Sequence, residues 1–216
     1  MLKADLHIHT EYSIDSTMPL ETVISRCLEV GINCVAIADH GTIAGALRMQ
    51  EIAPFTVIVA EEVLTPVGEV LGFFLSEEVP TKIPIKEAIA RIKAQGGLVG
   101  LPHPFDRLRG IGQQALEEFL PSIDFIEVFN SRVLPMTNSN ERARLFAQKH
   151  GLPCSAGSDA HTPQEIGHAY VEMPEFSGAE EFLLALAQGE IFGHRTCPLA
   201  HIPTTLTGLR KRFRKQ

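Results

Sequence analysis

The sequence lacks the cysteine pattern of a zinc knuckle or of a disulfide framework. It contains no Cys-x-x-Cys pair, and its four cysteines lie far apart, at Cys27, Cys34, Cys154 and Cys197. We therefore expect reduced thiols that lie mostly in the core. No continuous apolar run approaches the ~20 residues that cross a bilayer. No signal peptide precedes the first predicted strand, which begins at Leu2. These absences predict a cytoplasmic protein without a membrane span.

An excess of basic residues is also absent. The chain has 19 lysines and arginines against 26 aspartates and glutamates, a formal net charge of −7. Extended nucleic-acid surfaces need concentrated positive charge, so we do not expect one over the whole domain. A basic tail at residues 202–216 is the local exception. A frayed, solvated terminus is the favoured interpretation of this tail, and a nucleic-acid contact is the alternative.

The 216 residues suffice for one domain with a substantial core, which we assign to residues 1–216. Short apolar runs alternate with amphipathic stretches, the pattern of repeated βα units. The run Cys34–Ala38, for example, follows a predicted helix that Gly31 ends. A hairpin turn at residues 66–69 is the first departure from this alternation. The third predicted strand, Thr56–Ala60, precedes this turn and is followed directly by Glu61 and Glu62.

The first predicted strand carries polar residues at alternate positions. Asp5, His7 and His9 would share one face if the strand is regularly extended. Two imidazoles and a carboxylate on an inner face are costly unless a cation compensates them. The strand therefore predicts half of a metal site, and an edge strand with a wet polar face is the alternative.

Polar side chains of the same kind follow nearly every later apolar run. In a parallel barrel the carboxyl ends of the strands meet at one mouth, where catalytic groups collect. Nitrogen and oxygen ligands without a thiolate suit Zn²⁺, Mn²⁺, Fe²⁺ or Mg²⁺, and bridging carboxylates favour two or more ions. The candidate ligands are His7, His9, Asp39, His40, Glu62, His103, Glu127, Asn130, Asp159 and His161.

Five blocks of this sequence resemble the signature blocks of the PHP (polymerase and histidinol phosphatase) family of metal-dependent phosphoesterases. The resemblance runs in order from residue 2 to about residue 172. It implies an α/β fold, a distorted (β/α)₇ barrel similar to a TIM barrel, with the active site at the C-terminal ends of the strands. The blocks are Asp5-Leu6-His7-Ile8-His9-Thr10 with Ser13 and Asp15, Asp39-His40-Gly41-Thr42, Glu62, His103-Pro104, and Gly157-Ser158-Asp159-Ala160-His161.

The resemblance also implies two to three divalent metal ions as cofactors. His7, His9 and Asp159 would hold the first, and Glu62 would bridge it to a second that also binds His103. Asp15, His40 and His161 would hold the third. Some family members supply another histidine to the second ion after the sixth strand, where this chain offers Glu127, Asn130 or Ser131. Asp5 and Asp39 lie beside ligand histidines in the sequence and are expected to orient them.

The chemistry expected of such a site is hydrolysis of a phosphomonoester or a short phosphodiester by a metal-activated hydroxide. Asp159, His161 and Glu62 are the expected catalytic residues, the first two in proton transfer. The expected substrate is a phosphorylated metabolite, a nucleotide or the end of an oligonucleotide. Arg132, Arg107, Arg109 and His194 are candidates for binding its phosphate. Arg132 is favoured, because its Asn-x-Arg context resembles related phosphoesterases.

Two alternatives stay open at this point. A histidinol-phosphatase-like enzyme is disfavoured by the short chain, because such members usually have longer loops between the blocks. A non-catalytic metal-binding module is disfavoured because nearly all ligand positions are filled. His201 is expected at the surface, and an approach to the site from the C-terminal segment is the alternative.

Overall fold

The computed structural model describes residues 1–134, residues 137–197, and Thr204, Thr207 and Lys211. His201 lies outside the described residues, and so does the predicted basic tail (residues 202–216) apart from Thr204, Thr207 and Lys211. The assignment of residues 1–216 to one domain stays a prediction.

The described residues form one nine-stranded sheet with helices packed against it. Its spatial order is β7-β6-β5-β4-β3-β2-β1-β8-β9. The strands, in chain order, are β1 (Leu2–Ile8), β2 (Cys34–Ile37), β3 (Thr56–Thr65), β4 (Gly68–Phe73), β5 (Leu98–Leu101), β6 (Phe125–Asn130), β7 (Cys154–Gly157), β8 (Ala169–Met173) and β9 (Glu190–Gly193).

Strands β1 to β7 close into a barrel. The chain just beyond β7 meets β1, where the Asp159 N–H donates to the His7 carbonyl over 2.8 Å and the His9 N–H to Ala160 over 2.9 Å. Six of the seven strands run in one direction, and β4 runs antiparallel to both β3 and β5. The structure thus confirms an α/β fold with a distorted, TIM-like barrel. The reversed fourth strand is its main distortion.

Strands β8 and β9 extend the sheet beyond β1 and were not predicted. Both are antiparallel to their neighbours. In β8, buried Ala169, Val171 and Met173 alternate with less buried Tyr170 and Glu172. This period of two was present in the sequence and is typical of a half-buried strand.

Six α-helices follow from the predicted amphipathic stretches of the described chain. In the first of them, Leu20, Val23 and Cys27 form the buried stripe, and the helix ends at Gly31 in the left-handed conformation. Most of the helices pack on the outer face of the barrel, so apolar side chains fill the space between sheet and helices. They are α1 (Leu20–Val30), α2 (Ala44–Ile52), α3 (Ile85–Ala94), α4 (Gln113–Phe119), α5 (Ser139–His150) and α6 (Gly178–Ala187).

The predicted end of the third strand is wrong. Strand β3 continues through Glu61 and Glu62 to Thr65, because its main chain pairs with β4 over that whole length, with Glu62 opposite Leu71. The two carboxylates therefore point to opposite faces. Glu62 enters the barrel mouth, whereas Glu61 accepts a hydrogen bond from the Val79 N–H.

Candidate metal centre

Four ligand atoms from three strands meet at the barrel mouth. The Nε2 atoms of His7 and His9 lie 3.1 Å apart, and each lies 3.2 Å from Glu62 Oε2. Asp159 Oδ1 lies 3.4 Å from His9 Nε2 and 3.9 Å from His7 Nε2. It has no hydrogen-bond partner among the described residues. Ligands bound tetrahedrally at about 2.0–2.2 Å from one cation lie about 3.3–3.6 Å apart. The five distances fall on both sides of this range, so the atoms lie close enough together to share an ion after small adjustments.

A second group surrounds Asp15, on the loop between β1 and α1. Its Oδ2 atom lies 3.1 Å from His161 Nε2 and 3.4 Å from His40 Nε2. His40 follows β2 and His161 follows β7, so the loop closes a gap between distant strand ends. His9 faces both groups, since its ring lies 4.8 Å from that of His40 and 4.3 Å from that of His161.

A third group contains a residue that the sequence analysis missed. His103 Nε2 lies 3.0 Å from Glu62 Oε1 and 3.3 Å from Glu69 Oε2. Glu69 lies on the reversed strand β4, and its Oε2 atom is buried without a hydrogen-bond partner in the described chain. Glu69 was not considered as a ligand because the sequence predicted a hairpin turn at residues 66–69. Its sequence signal is weak, one glutamate two positions before the inward-facing Leu71 of the same strand.

The imidazoles of His7, His161 and His40 share one orientation, which leaves Nε2 free to bind a cation, whereas His103 Nδ1 has no hydrogen-bond partner among the described residues. His7 Nδ1 lies 3.0 Å from Glu127 Oε1, and His161 Nδ1 lies 2.7 Å from the Asp159 carbonyl. His40 Nδ1 lies 3.2 Å from the Glu62 carbonyl. A proton on Nδ1 satisfies each of these oxygens and leaves the Nε2 lone pair facing the ligand cluster. This is the tautomer that metal-binding histidines need.

The geometry favours an orienting role for Glu127 over the ligand role expected from the sequence. One of its oxygens faces His7, and the other accepts from the His103 N–H over 2.8 Å and from Asn130 Nδ2 over 2.9 Å. The Asn130 amide also reaches Asp159 Oδ2, at 3.2 Å. Glu127 and Asn130 therefore form hydrogen bonds with three candidate ligand residues, His7, His103 and Asp159, and fix their positions.

Asp5 and Asp39 hold main chain rather than imidazoles. Asp5 accepts from the N–H groups of Ser158 and Gly167 at 2.9 and 3.0 Å, so it fixes the segment before Asp159. It does not share a ligand face with His7 and His9, because the register of β1 against β2 shifts between Asp5 and Ile8. Asp39 accepts from the N–H and hydroxyl of Thr10, just after His9. The expected orienting of histidines falls to Glu127 instead.

Two of the four predicted phosphate-binding residues line the cavity above the ligands. Arg109 donates to Asp159 Oδ2, and Arg132 donates to Glu165 Oε1 over 2.6 Å. Arg107 and His194 are exposed and lie outside this cavity. The cavity measures about 150 Å³, and its lining residues are Asp15, His40, Glu69, Arg109, Arg132, Asp159, His161 and Thr204.

Two ligands have backbone conformations that non-glycine residues rarely adopt. The φ angle is 55° at Asp159 and 26° at His103. Left-handed φ values cost about 1–3 kcal/mol each and persist where the surrounding structure fixes them, often at functional sites. Here the hydrogen bonds to His7 and Glu127 fix them. Both residues turn sharply at the end of a strand, which places their side chains over the mouth.

The electrostatics of the site favour cations. Burial alone would lower the pKa values of His7 and His40, but nearby carboxylates, Glu62 foremost, outweigh it and raise both, that of His40 to about 10. Burial would raise the pKa of Asp159, yet Arg109 and His7 hold it well below its usual value. Burial and the charge of Glu62 raise the pKa of Glu69 to about 7. The carboxylates thus attract protons to the site, and divalent cations compete for the same positions.

The chain matches two family models. The model of the PHP domain matches residues 5–61, and the model of the PHP-associated domain matches residues 137–191. The uncharacterised protein MJ0417 of Methanocaldococcus jannaschii is 36% identical over 181 residues, which cover 82% of this chain and 72% of that protein.

Among the described helices, none is long and apolar enough to cross a membrane.

Solved structures share the fold at low identity. A two-domain protein from Bacteroides vulgatus with a predicted PHP-like metal-dependent phosphoesterase has a TM-score of 0.73 at 19% identity, over 89% of this chain and 65% of that one. The lesion-specific endonuclease PfuEndoQ of Pyrococcus furiosus has a TM-score of 0.65 at 19% identity, over 88% and 57%. Another similar structure is Endonuclease Q with a 27-mer duplex substrate, whose abasic lesion lies at the active site. With its signature blocks gathered at one barrel mouth, the chain belongs to the PHP family.

Proposed function

We propose that this protein is a metal-dependent phosphoesterase that hydrolyses a phosphomonoester or a short phosphodiester. The observation that carries the proposal is the meeting of ligand atoms from widely separated strand ends at one cavity that two arginines also line. A structural metal site would need neither the cavity nor the arginines. The cavity of about 150 Å³ favours the phosphate of a small molecule, a nucleotide or the end of an oligonucleotide.

Three ligand groups fit two to three divalent ions. His7, His9, Glu62 and Asp159 would hold the first, and Asp15, His40 and His161 the third. Glu62, Glu69 and His103 would hold the second. When bound, Zn²⁺, Mn²⁺, Fe²⁺ or Mg²⁺ would lower the pKa of a water molecule and neutralise charge on the phosphoryl oxygens.

The protein's own residues bind and orient the substrate. Arg109 Nη2 is buried and makes no hydrogen bond among the described residues, its ion-pair partner Asp106 Oδ2 lying 3.6 Å away. The guanidinium can therefore turn this donor to a phosphoryl oxygen while it holds Asp159. Arg132, fixed by Glu165, supplies a second positive charge in the lining of the cavity. Asp159 and His161 adjoin the cavity and are the candidates for moving protons. Glu62 bridges the ligand groups with its two oxygens.

Replacing His9 tests the proposal. We expect wild-type protein to hydrolyse an aryl phosphate with Mn²⁺ or Zn²⁺. In His9→Ala the turnover should fall by more than about 100-fold, because the substitution removes a metal ligand rather than a group that orients one. His150→Ala, at the end of α5, is the matched control. Equal turnover in wild type and His9→Ala would refute the site. Metal binding without turnover in wild type would favour a non-catalytic metal-binding module.

A substrate panel separates the remaining candidates. The likeness to Endonuclease Q favours including short 5′-phosphorylated oligonucleotides beside nucleoside bisphosphates and phosphorylated metabolites. Histidinol phosphate tests the histidinol-phosphatase alternative. The cytoplasmic location stays a prediction.

A further inference from the structure

A lysine from the C-terminal segment is bound to the loop that carries Asp15. The Lys211 ammonium donates to the carbonyl oxygens of Glu11, Ser13 and Ser16 over 2.7, 2.6 and 2.7 Å. The three N–H groups of an ammonium match these three acceptors. We call these three carbonyls the carbonyl cage.

The carbonyl cage needs a cation. Three carbonyl oxygens that converge on one point repel each other unless a positive charge or a donor lies between them. The loop amides make bonds of their own, from Glu11 to the Met18 carbonyl over 2.8 Å and from Ser13 to Thr10 over 3.0 Å. These bonds leave the cage carbonyls to Lys211.

The caged loop positions a metal-ligand candidate. Ser13 Oγ donates to Asp15 Oδ1 over 2.6 Å, which turns Oδ2 toward His161 and His40. Asp15 lies between the cage residues Ser13 and Ser16. A change in the cage therefore changes the direction of the Asp15 carboxylate.

The same C-terminal segment reaches the cavity at a second point. Arg132 Nη2 donates to Thr204 Oγ1 over 3.0 Å, and Thr204 lines the cavity. Lys211 and Thr204 thus contact two different loops of the barrel mouth.

We propose that Lys211 is a positioning residue, an internal cation that fixes the Asp15 loop in the conformation that binds metal. Its effect on turnover rests on the proposed function, whereas its effect on the loop does not. Lys211, one basic residue of the predicted tail, then has a use within this chain.

Hydrogen exchange of the loop amides tests the proposal without metal or substrate. In Lys211→Ala, with a chelator present, we expect exchange in the peptide covering residues 9–18 to be about tenfold faster than in wild type, because the loop opens more often. Lys211→Met keeps the apolar stem and removes the ammonium, so it should show the same acceleration. Lys86→Ala, on the exposed face of α3, is the matched control and should exchange like wild type.

Chemical rescue tests the cation role. Methylammonium should slow the exchange of Lys211→Ala back toward wild type and leave the Lys86→Ala control unchanged. We also expect Lys211→Ala to bind one metal ion per chain at least about tenfold more weakly, and methylammonium to restore that ion.

The outcomes separate the two proposals. Wild-type exchange rates in both Lys211 variants, or accelerated exchange that methylammonium does not reduce, would overturn the positioning role. Faster exchange with rescue in a protein whose wild type hydrolyses no phosphoester would leave the positioning role standing and refute the proposed function.

Discussion

Glu69 is a candidate metal ligand on a strand where the sequence predicted none. Its Oε2 atom lies 3.3 Å from His103 Nε2 and makes no hydrogen bond among the described residues, and Glu69 lines the same cavity as Arg109. The sequence predicts the additional ligand after the sixth strand, at Glu127 or Asn130. In the structure those two residues form hydrogen bonds with candidate ligands, and the additional carboxylate is that of Glu69 on β4.

Glu69→Gln should therefore reduce the metal content. We expect one fewer tightly bound ion per chain, because an amide oxygen without charge is a weaker ligand for a divalent cation than a carboxylate. Elemental analysis after dialysis against Mn²⁺ or Zn²⁺ measures it, with the exposed Glu77→Gln as control. Unchanged metal content would place Glu69 outside the ligand set.

His40 gives the metal-free protein a dependence on pH. Its pKa lies at about 10, above the ordinary 6.5, because Glu62 and Asp15 outweigh the effect of burial. A raised folded-state pKa contributes stability that is complete below the unfolded pKa and is lost as the pH rises through the folded one. The pKa of His7 is raised in the same direction.

We therefore expect the Tm of chelator-treated protein to fall as the pH rises from 6.5 toward about 10. Thermal unfolding across that range measures it. His40→Gln cannot titrate and should show a shallower fall. A Tm that rises or stays level over this range in wild type would contradict the raised pKa values.

At the scale of elements, the close approach of β1 and β7 brings together ligands about 150 residues apart in the sequence. Gly157 makes this approach possible. A Cβ atom there would lie 2.3 Å from His7 Cβ and 2.9 Å from Glu127 Oε1. Neither neighbour can withdraw, since β1 and Glu127 are themselves part of the site.

Gly157→Ala should lower the free energy of unfolding by about 1–3 kcal/mol through overpacking and weaken metal binding by displacing His7. Chemical denaturation and metal titration measure the two effects. Gly151→Ala is the control, because its φ of 66° is strained but no atom lies within 4 Å of the added Cβ. Gly151→Ala should lower the free energy of unfolding and leave the metal affinity unchanged. Equal metal affinity in wild type and Gly157→Ala would show that the strands can separate without cost to the site.

At the scale of the whole molecule, the barrel closes around a group of buried charges. Glu62, Asp159, His7 and His9 are all at most 1% exposed. Buried charges are costly unless they are paired, so the fold and the cations should stabilise each other.

Metal loading should accordingly raise the Tm. An ion at about 100 times its dissociation constant adds about 2.7 kcal/mol, which corresponds to about 5–10 °C in a protein of this size. Differential scanning calorimetry with Mn²⁺ and with a chelator measures it. His9→Ala should show a smaller shift, and an equal shift in both proteins would place the stabilising ion elsewhere.

The sequence alone determined the fold class and most of the residues that gather at the candidate metal centre. Alternating apolar runs predicted the βα units, and the polar side chains after them, among them His7, His40, His103 and Asp159, gather at the mouth as expected. These predictions succeed because strand ends in a barrel lie at one rim, so local position along the chain implies position in space.

The tertiary structure decided what depends on strand direction and register. It reversed β4 and so brought Glu69 to His103, and it shifted the register of β1, which took Asp5 away from the histidines. It also brought Lys211 to the Asp15 loop across almost the whole chain. Such pairings depend on how distant strands and segments pack, and no local pattern of residues encodes them.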